Sequence, residues 1–592
     1  MISRTGTHKK PGSPLAAPGR LRAAERILAL FDACSRSNLR ACLFLVGLSL
    51  IAFLPGLFAI PVVDRDEART AQISRQMVEG GSLTDTRIGV EARHTRPFGF
   101  YWLQAGVVAL GEVVAGEGAV HTIALYRLPS LAAGIGAVLL TFWAALAFVR
   151  RRAALLAATL LASSAAIGIA ARLAVPDAVL VAAVAAMMGA FARVYVGRGG
   201  ENVGRPPLPA AIDVKLAAIF WGGLCAALMA KGVLAPLYVA VPLVALAAAD
   251  RSVRLLRPLA PFHGLAVCLL LVANWFVLRH WTGTESAAET AERLLIGRVA
   301  PFFPGFTALP GAYLLMFWGL FWPAAPLAAL TLPILWKARR LRSVRCLLAW
   351  VLPVWLVLEF YPTKIPGFVL PTFPAIAILI ALAVERGALA LANTRLVRLL
   401  WLWPVIGALI AVLALLGLAI FDRTTSVLSW PLLLLGFFAL VIAAGSVRDY
   451  GVEKATLLAV AGMLVSGFGV MQLIVPNLQS IWVSPRLAEA ASAEACARAG
   501  QPIAIGSAGF NEPSLMLLAP GAVPVRFLDG AAAADFLQEG GCRAVFVERR
   551  QEMRFVRRAE ALGLRVDRGA DIPGYDYNEG RRVRISLYRR AN

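Results

Sequence analysis

Thirteen separated runs of apolar residues, each about 20 long, dominate this chain. A helix of that length crosses the ~30 Å hydrocarbon core of a bilayer. The runs fall at about 40–60, 126–149, 153–171, 174–196, 214–230, 232–249, 259–278, 311–335, 344–360, 367–388, 398–420, 428–446 and 455–475. Two pairs are nearly fused, divided only by the polar stretch from Arg172 to Asp177 and by Lys231-Gly232. With 59% of its 592 residues hydrophobic and 16% charged, the chain holds more apolar surface than a soluble core can bury. A water-soluble globular fold is excluded. The pattern predicts a polytopic α-helical membrane protein of about 13 transmembrane helices.

A formal charge of +23 suggests a nucleic-acid binder until the cations are placed. Twenty-eight Lys and Arg, against eight acidic residues, lie in the N-terminal tail and in alternate connections between the runs. One side therefore carries about +20, which is the signature of cytoplasmic loops. Most of the net charge sets topology, and no nucleic-acid partner is expected. Residues 1–39 read as a cytoplasmic basic tail, 40–484 as the transmembrane domain with a first outer loop at 61–125, and 485–592 as an extracytoplasmic domain. No small-residue cleavage pattern follows the first run, so it reads as an uncleaved helix.

From about 485 the composition becomes that of a soluble domain. Helical periodicity at 487–498, 512–518, 531–539 and 552–562 alternates with strand-like runs at 503–506, 523–527 and 544–548, and two final strands end at 582–588. That order predicts a small α/β domain with a partly parallel sheet. It has no Gly-rich phosphate loop and no histidine, so it reads as a lid or an acceptor-docking module. Cys496 and Cys542 are its only cysteines; a disulfide and two free thiols are equally consistent with their placement.

Ionisable groups at membrane depth are expensive and mark function by default. On the expected outer face, the first loop opens Asp64-Arg65-Asp66-Glu67-Ala68-Arg69, with the mixed pattern of a short interfacial helix, and continues to Arg93-His94-Thr95-Arg96-Pro97-Phe98-Gly99-Phe100-Tyr101-Trp102. Arg172 and Asp177, Lys231, and Tyr361-Pro362-Thr363-Lys364 fall in short connections on the same face. Singly, each has a plain explanation: a solvated helix end, a snorkelling lysine, a local Arg172–Asp177 pair, or an interface aromatic. Their coincidence on one face favours a site.

These residues resemble the polyprenyl-phosphate-sugar glycosyltransferases of the type C fold, and most of all the lipid A aminoarabinose transferase family, relatives of the protein mannosyltransferases. The likeness rests on Asp66-Glu67-Ala68-Arg69, Arg96-Pro97 with the following aromatics, Arg172-Leu173-Ala174-Val175-Pro176-Asp177, Ala230-Lys231-Gly232 and Thr363-Lys364-Ile365-Pro366. Phe510 to Ser514 and Gly574 to Tyr577 add to it. The resemblance implies Asp66 as the catalytic residue, with Glu67, Arg69, Arg96, Arg172, Asp177, Lys231, Tyr361 and Lys364 binding substrate. Arg96 stands where the family has lysine, and Thr95 where it has glutamate, which weakens the case for a metal ligand there. No cofactor is called for, and a divalent metal is left open.

The chemistry so implied is economical. A polyprenyl-phosphate sugar brings its own leaving group, so cations must steady the departing phosphate and one carboxylate must take the acceptor's proton. A single evident base favours inverting displacement. The expected enzyme moves a sugar from a polyprenyl-phosphate donor to lipid A, lipopolysaccharide or another envelope glycan, as a monomer in the bacterial inner membrane, with its C-terminal domain periplasmic. A lipid or lipid-linked-sugar flippase is the alternative; it would be expected to show inverted repeats with charges near the midplane, and neither is seen. A polysaccharide polymerase would not be expected to carry the first-loop and Lys364 elements together.

Overall fold

The computed structural model describes residues 18–84, 86–88, 91–92, 97–197, 212–281, 306–387, 389, 397–498, 500–519 and 525–591. Arg96, with Arg93 and Thr95, lies outside them.

Each of the thirteen apolar runs coincides with a helix or a helix pair. Eight described helices are long and apolar enough to cross a membrane, and nine if the bent pair Arg151–Ala162 and Ala165–Arg172 counts as one span. The runs near 40, 232, 259 and 311 form shorter or broken apolar helices, such as Asn38–Phe53 and Leu237–Asp250. The nearly fused pairs divide at the expected polar breaks: Gly232 at φ +59 ends the helix Val214–Lys231, and Asp177 opens the helix Asp177–Gly197. A further break was not anticipated. At Ser163-Ser164 the span turns by 62°.

Ile123–Ala145 packs on Asp177–Gly197, which packs in turn on Val214–Lys231. Pro366–Glu385 is the most enclosed span and Arg398–Asp422 the most exposed. The first outer loop holds more structure than the sequence suggests. Besides the expected helix Asp66–Gly80 it contains the apolar helix Gly99–Ala115, whose Leu103, Leu110, Val113 and Val114 are exposed. At 17 residues it falls just short of a span, which is why hydropathy alone passes over it.

The C-terminal part is a five-stranded mixed sheet. Ala504–Ala508 pairs in parallel with Arg526–Leu528 on one side and Arg543–Glu548 on the other; Arg581–Arg590 then runs antiparallel to both Arg543–Glu548 and Val566–Asp576. Successive residues of a strand point to opposite faces, and each face has its own core. Phe546 and Ile585 pack with Leu487 and Leu515 from helices Val483–Ser492 and Pro513–Leu518. Val545 and Val547 pack with Phe536 and Phe555 from helices Gly530–Gln538 and Arg549–Ala561. Cys496 and Cys542 form a disulfide across 46 residues of chain, resolving the choice left open above.

The sheet domain seats on the first loop through Pro513–Leu518. Leu517 joins Val62, Ala68 and Ala71 in one buried cluster, and Arg75 donates to the carbonyls of Met516 and Leu517 (3.4 and 2.9 Å).

Candidate active site

Asp66 and Glu67 occupy the first turn of Asp66–Gly80, where the helix dipole favours carboxylates, and Gly81 ends the helix in the left-handed conformation at φ +65. The residue before it, Arg65, is held at φ +67 although it is not glycine. That backbone is costly and marks a place where surrounding contacts dictate the turn.

Glu67 supplies those contacts. Its side chain is 1% exposed and its two oxygens accept four hydrogen bonds. Oε1 accepts from Arg127 Nε and the Ala174 N–H, both at 2.8 Å. Oε2 accepts from Arg127 Nη2 (2.8 Å) and the Val63 N–H (2.9 Å). Arg127, also 1% exposed, donates further to the carbonyls of Leu57, Ile60 and Pro61. Glu67, expected to meet substrate, binds the loop to the helix Ile123–Ala145 and to Ala174 in the link between Ala165–Arg172 and Asp177–Gly197. Arg127 escaped the sequence reading, although an arginine at the head of an apolar run was the signal available.

Asp66 itself is half-buried at the helix start, and its Thr70 neighbour one turn on donates to the Asp66 carbonyl at 2.6 Å. Arg69 is half-buried beside it, and Arg65 is exposed, its Nη2 donating to the Asn578 carbonyl (3.2 Å).

Asp177 forms an ion pair with Lys231 at 2.9 Å, tying two helices together in place of the local Arg172–Asp177 pair considered above. Arg172 turns the other way and donates to the carbonyls of Pro55 (2.6 Å) and Ala52, capping the end of Asn38–Phe53. Lys364 does not snorkel. It is fully buried and donates to the carbonyls of Leu358 (3.1 Å), Glu359 (2.6 Å) and Tyr361 (2.7 Å), using all three ammonium protons on the end of Arg342–Phe360. The Tyr361 hydroxyl is buried without a hydrogen-bond partner among the described residues. Arg172 and Lys364 thus hold helix ends in this structure.

The motifs meet through these contacts. Glu67 reaches Ala174; Asp177 reaches Lys231; a Cβ at Gly367 would strike the Asp177 carboxylate; one at Gly232 would lie 3.2 Å from Pro97. Elements spread from residue 63 to 367 therefore line one end of the helix bundle, the end that carries the C-terminal domain.

That domain adds two motifs. The Asp64 N–H donates to the Tyr577 hydroxyl at 2.6 Å. Burial, then the nearby Glu512 carboxylate, pushes the Asp64 carboxyl up from 3.8 to about 7, with Ser514 opposing. Burial raises Glu512 as well, while Asn578, Arg65 and Arg69 lower it. Among the described residues no three His, Cys, Asp or Glu side chains are grouped to hold a metal ion.

This fold and this clustering define a multi-pass helical membrane protein with its polar site under an appended α/β domain. Among solved structures, the chain has the fold of ArnT from Cupriavidus metallidurans in the apo state (TM-score 0.67, 18% identity, 95% of this chain and 98% of that one). It matches the same protein bound to undecaprenyl phosphate equally well (TM-score 0.67, 17% identity, 92% and 97%). No family model matches the sequence, and no curated protein is similar to it.

Proposed function

We propose that this protein is a membrane glycosyltransferase that moves a sugar from a polyprenyl-phosphate donor to an envelope glycolipid or glycan. The observation that carries this reading is the convergence of the 63–69, 97–99, 172–177, 231–232 and 363–367 elements at one end of the bundle, with Asp66 at the head of a helix fixed in place by the Glu67–Arg127 pair. The ArnT-like fold supports it, and the undecaprenyl phosphate held by that neighbour supports a lipid-linked donor.

In this reading Asp66 accepts the proton of the acceptor hydroxyl as that oxygen attacks the sugar carbon. The bond to the donor phosphate breaks on the opposite side, with inversion. Arg69, Arg65 and Arg96 steady the phosphate charge as it develops, where charge-assisted hydrogen bonds count most. Lys231, held by Asp177, is an ordered cation at the rim. Glu67, Arg127, Arg172 and Lys364 act as positioning residues. The site opens to the periplasm of a bacterial inner membrane and the chain works as a monomer without a required cofactor; a divalent metal is the remaining option for the donor phosphate.

The test is mass spectrometry of envelope glycolipids and glycoproteins from a deletion strain carrying the wild type or Asp66→Asn. Loss of a positioned base lowers transfer by roughly 10²–10⁴-fold, so the glycan restored by the wild type should stay missing in the variant. Full restoration by Asp66→Asn removes the catalytic assignment. A redistributed lipid with no missing glycan would instead favour a flippase.

A further inference from the structure

The break at Ser163-Ser164 opens a crevice that the proposed reaction does not use. Its walls are Ile51 and Ala52, Gly168 and Arg172 of the bent span, Trp322, Gly407, and Ser466 to Phe468. Its volume is about 70 Å³. One water needs roughly 10–15 Å³ of such space, so the crevice has room for about five waters or for one phosphate-sized group. Ile51 and Phe468 at its mouth are exposed on the flank of the bundle.

Two side chains bring N–H donors to this mostly apolar crevice. The Trp322 indole is 3% exposed and its Nε1–H is buried with no hydrogen-bond partner among the described residues. Ser466 also lines the crevice, though its hydroxyl packs against Gly436 of the helix Ser429–Tyr450. Arg172 spends Nε and Nη2 on the Pro55 and Ala52 carbonyls, while Nη1 lies beside Gly168, where an added Cβ would stand 2.9 Å from it. No carboxylate lines the crevice, and Arg172 has no ion-pair partner among the described residues. A buried guanidinium bonded only to carbonyls lacks a counter-charge, and an unmet N–H in the same crevice is costly. Both deficits are cancelled by one small oxyanion.

We infer that this crevice binds the phosphate of a membrane lipid, entering from the flank of the bundle between Asn38–Phe53 and the helix Val452–Phe468. The lateral mouth and its apolar rim favour a lipid over a free ion. Gly168 and Gly407 keep the floor open: a methyl group on Gly407 would come within 3.2 Å of the Trp322 ring. The site goes beyond the glycosyl-transfer reading and stands whether or not that reading holds.

The experiment is native mass spectrometry of the full-length protein in mixed micelles, with phosphatidylglycerol and diacylglycerol of matched chains supplied in competition, and with inorganic phosphate titrated separately. Trp322→Phe and Ser466→Ala preserve shape and avoid disturbing the helix cap made by Arg172; an unchanged melting temperature and an intact Cys496–Cys542 disulfide serve as folding controls. The wild type should retain phosphatidylglycerol over diacylglycerol. Trp322→Phe, which removes one hydrogen bond to a charged group, should lower that preference about tenfold without altering diacylglycerol retention. Equal retention of the two lipids, or a preference untouched by both variants, overturns the inference. Saturable binding of inorganic phosphate without any phosphatidylglycerol preference overturns the lipid assignment and leaves a soluble anion as the occupant.

Discussion

The replacement Glu67→Gln bears most directly on how the first loop is built. The glutamate carboxylate meets four donors while both it and Arg127 are 1% exposed. An amide in its place can satisfy the two donors at one oxygen, but its NH2 then faces the other two. It also leaves the Arg127 guanidinium buried without a counter-charge. Breaking a buried pair in this way costs about 3–5 kcal/mol. Because the pair joins the loop to Ile123–Ala145 and to Ala174, the loss falls on the segment that places Asp66. Hydrogen-exchange mass spectrometry reads this directly: protection of the amides in Asp66–Gly80 should fall by roughly 10²–10⁴-fold. Transfer should fall through kcat more than through KM for the donor. Combining Glu67→Met with Arg127→Met should recover part of the protection, since no lone charge then remains, but not all of it, because the Val63 and Ala174 N–H groups stay unmet. Unchanged exchange and unchanged transfer in Glu67→Gln would refute the reasoning.

Three further outcomes are expected. Because Asp64 is raised from 3.8 to about 7, the protonated form is favoured in the folded protein; its contribution is complete below pH ~4 and is lost as pH rises through about 7, at a cost of up to about 4 kcal/mol. Limited proteolysis at the junction of the first loop and the Pro513–Leu518 helix should therefore quicken from pH 5 to pH 8, and Asp64→Asn should flatten that dependence. Reducing the Cys496–Cys542 bond, which closes a loop of 46 residues, should destabilise the C-terminal domain by about 4 kcal/mol in chain-entropy terms, measurable as earlier thermal unfolding of the sheet. Lys231→Met leaves Asp177 without its partner at 2.9 Å and should weaken transfer more than Asp177→Asn combined with Lys231→Met weakens it relative to Asp177→Asn alone; equal effects would mean that the pair is not coupled.

Much of this architecture is legible in one dimension because lipid imposes length and composition on each span. The polar breaks at Arg172–Asp177 and Lys231-Gly232 signal chain reversal for the same reason. The α/β order of the last hundred residues follows from periodicity alone. Other features depend on where helices stop in space. In sequence Lys364 reads as a snorkelling lysine and Arg172 as the partner of Asp177, yet each lies where a helix exposes its last carbonyls, and such groups take the nearest donor. Arg127 pairs with a glutamate 60 residues away, a distance no local pattern reports. Asp64 reads as a solvated acid until residues 512 and 576 to 578 are placed against it.

The bond from the Asp64 N–H to Tyr577 spans 513 residues of chain. At about 5–20 residues per second, the ribosome needs roughly 25–100 s to supply the second partner after the first has left it. For that interval the early loop exists without its late cover. A product truncated before the last sheet strands would insert its helices and display the loop, yet lack the contacts that finish it. Completion of the site is therefore tied to synthesis of the sheet domain that carries Tyr577.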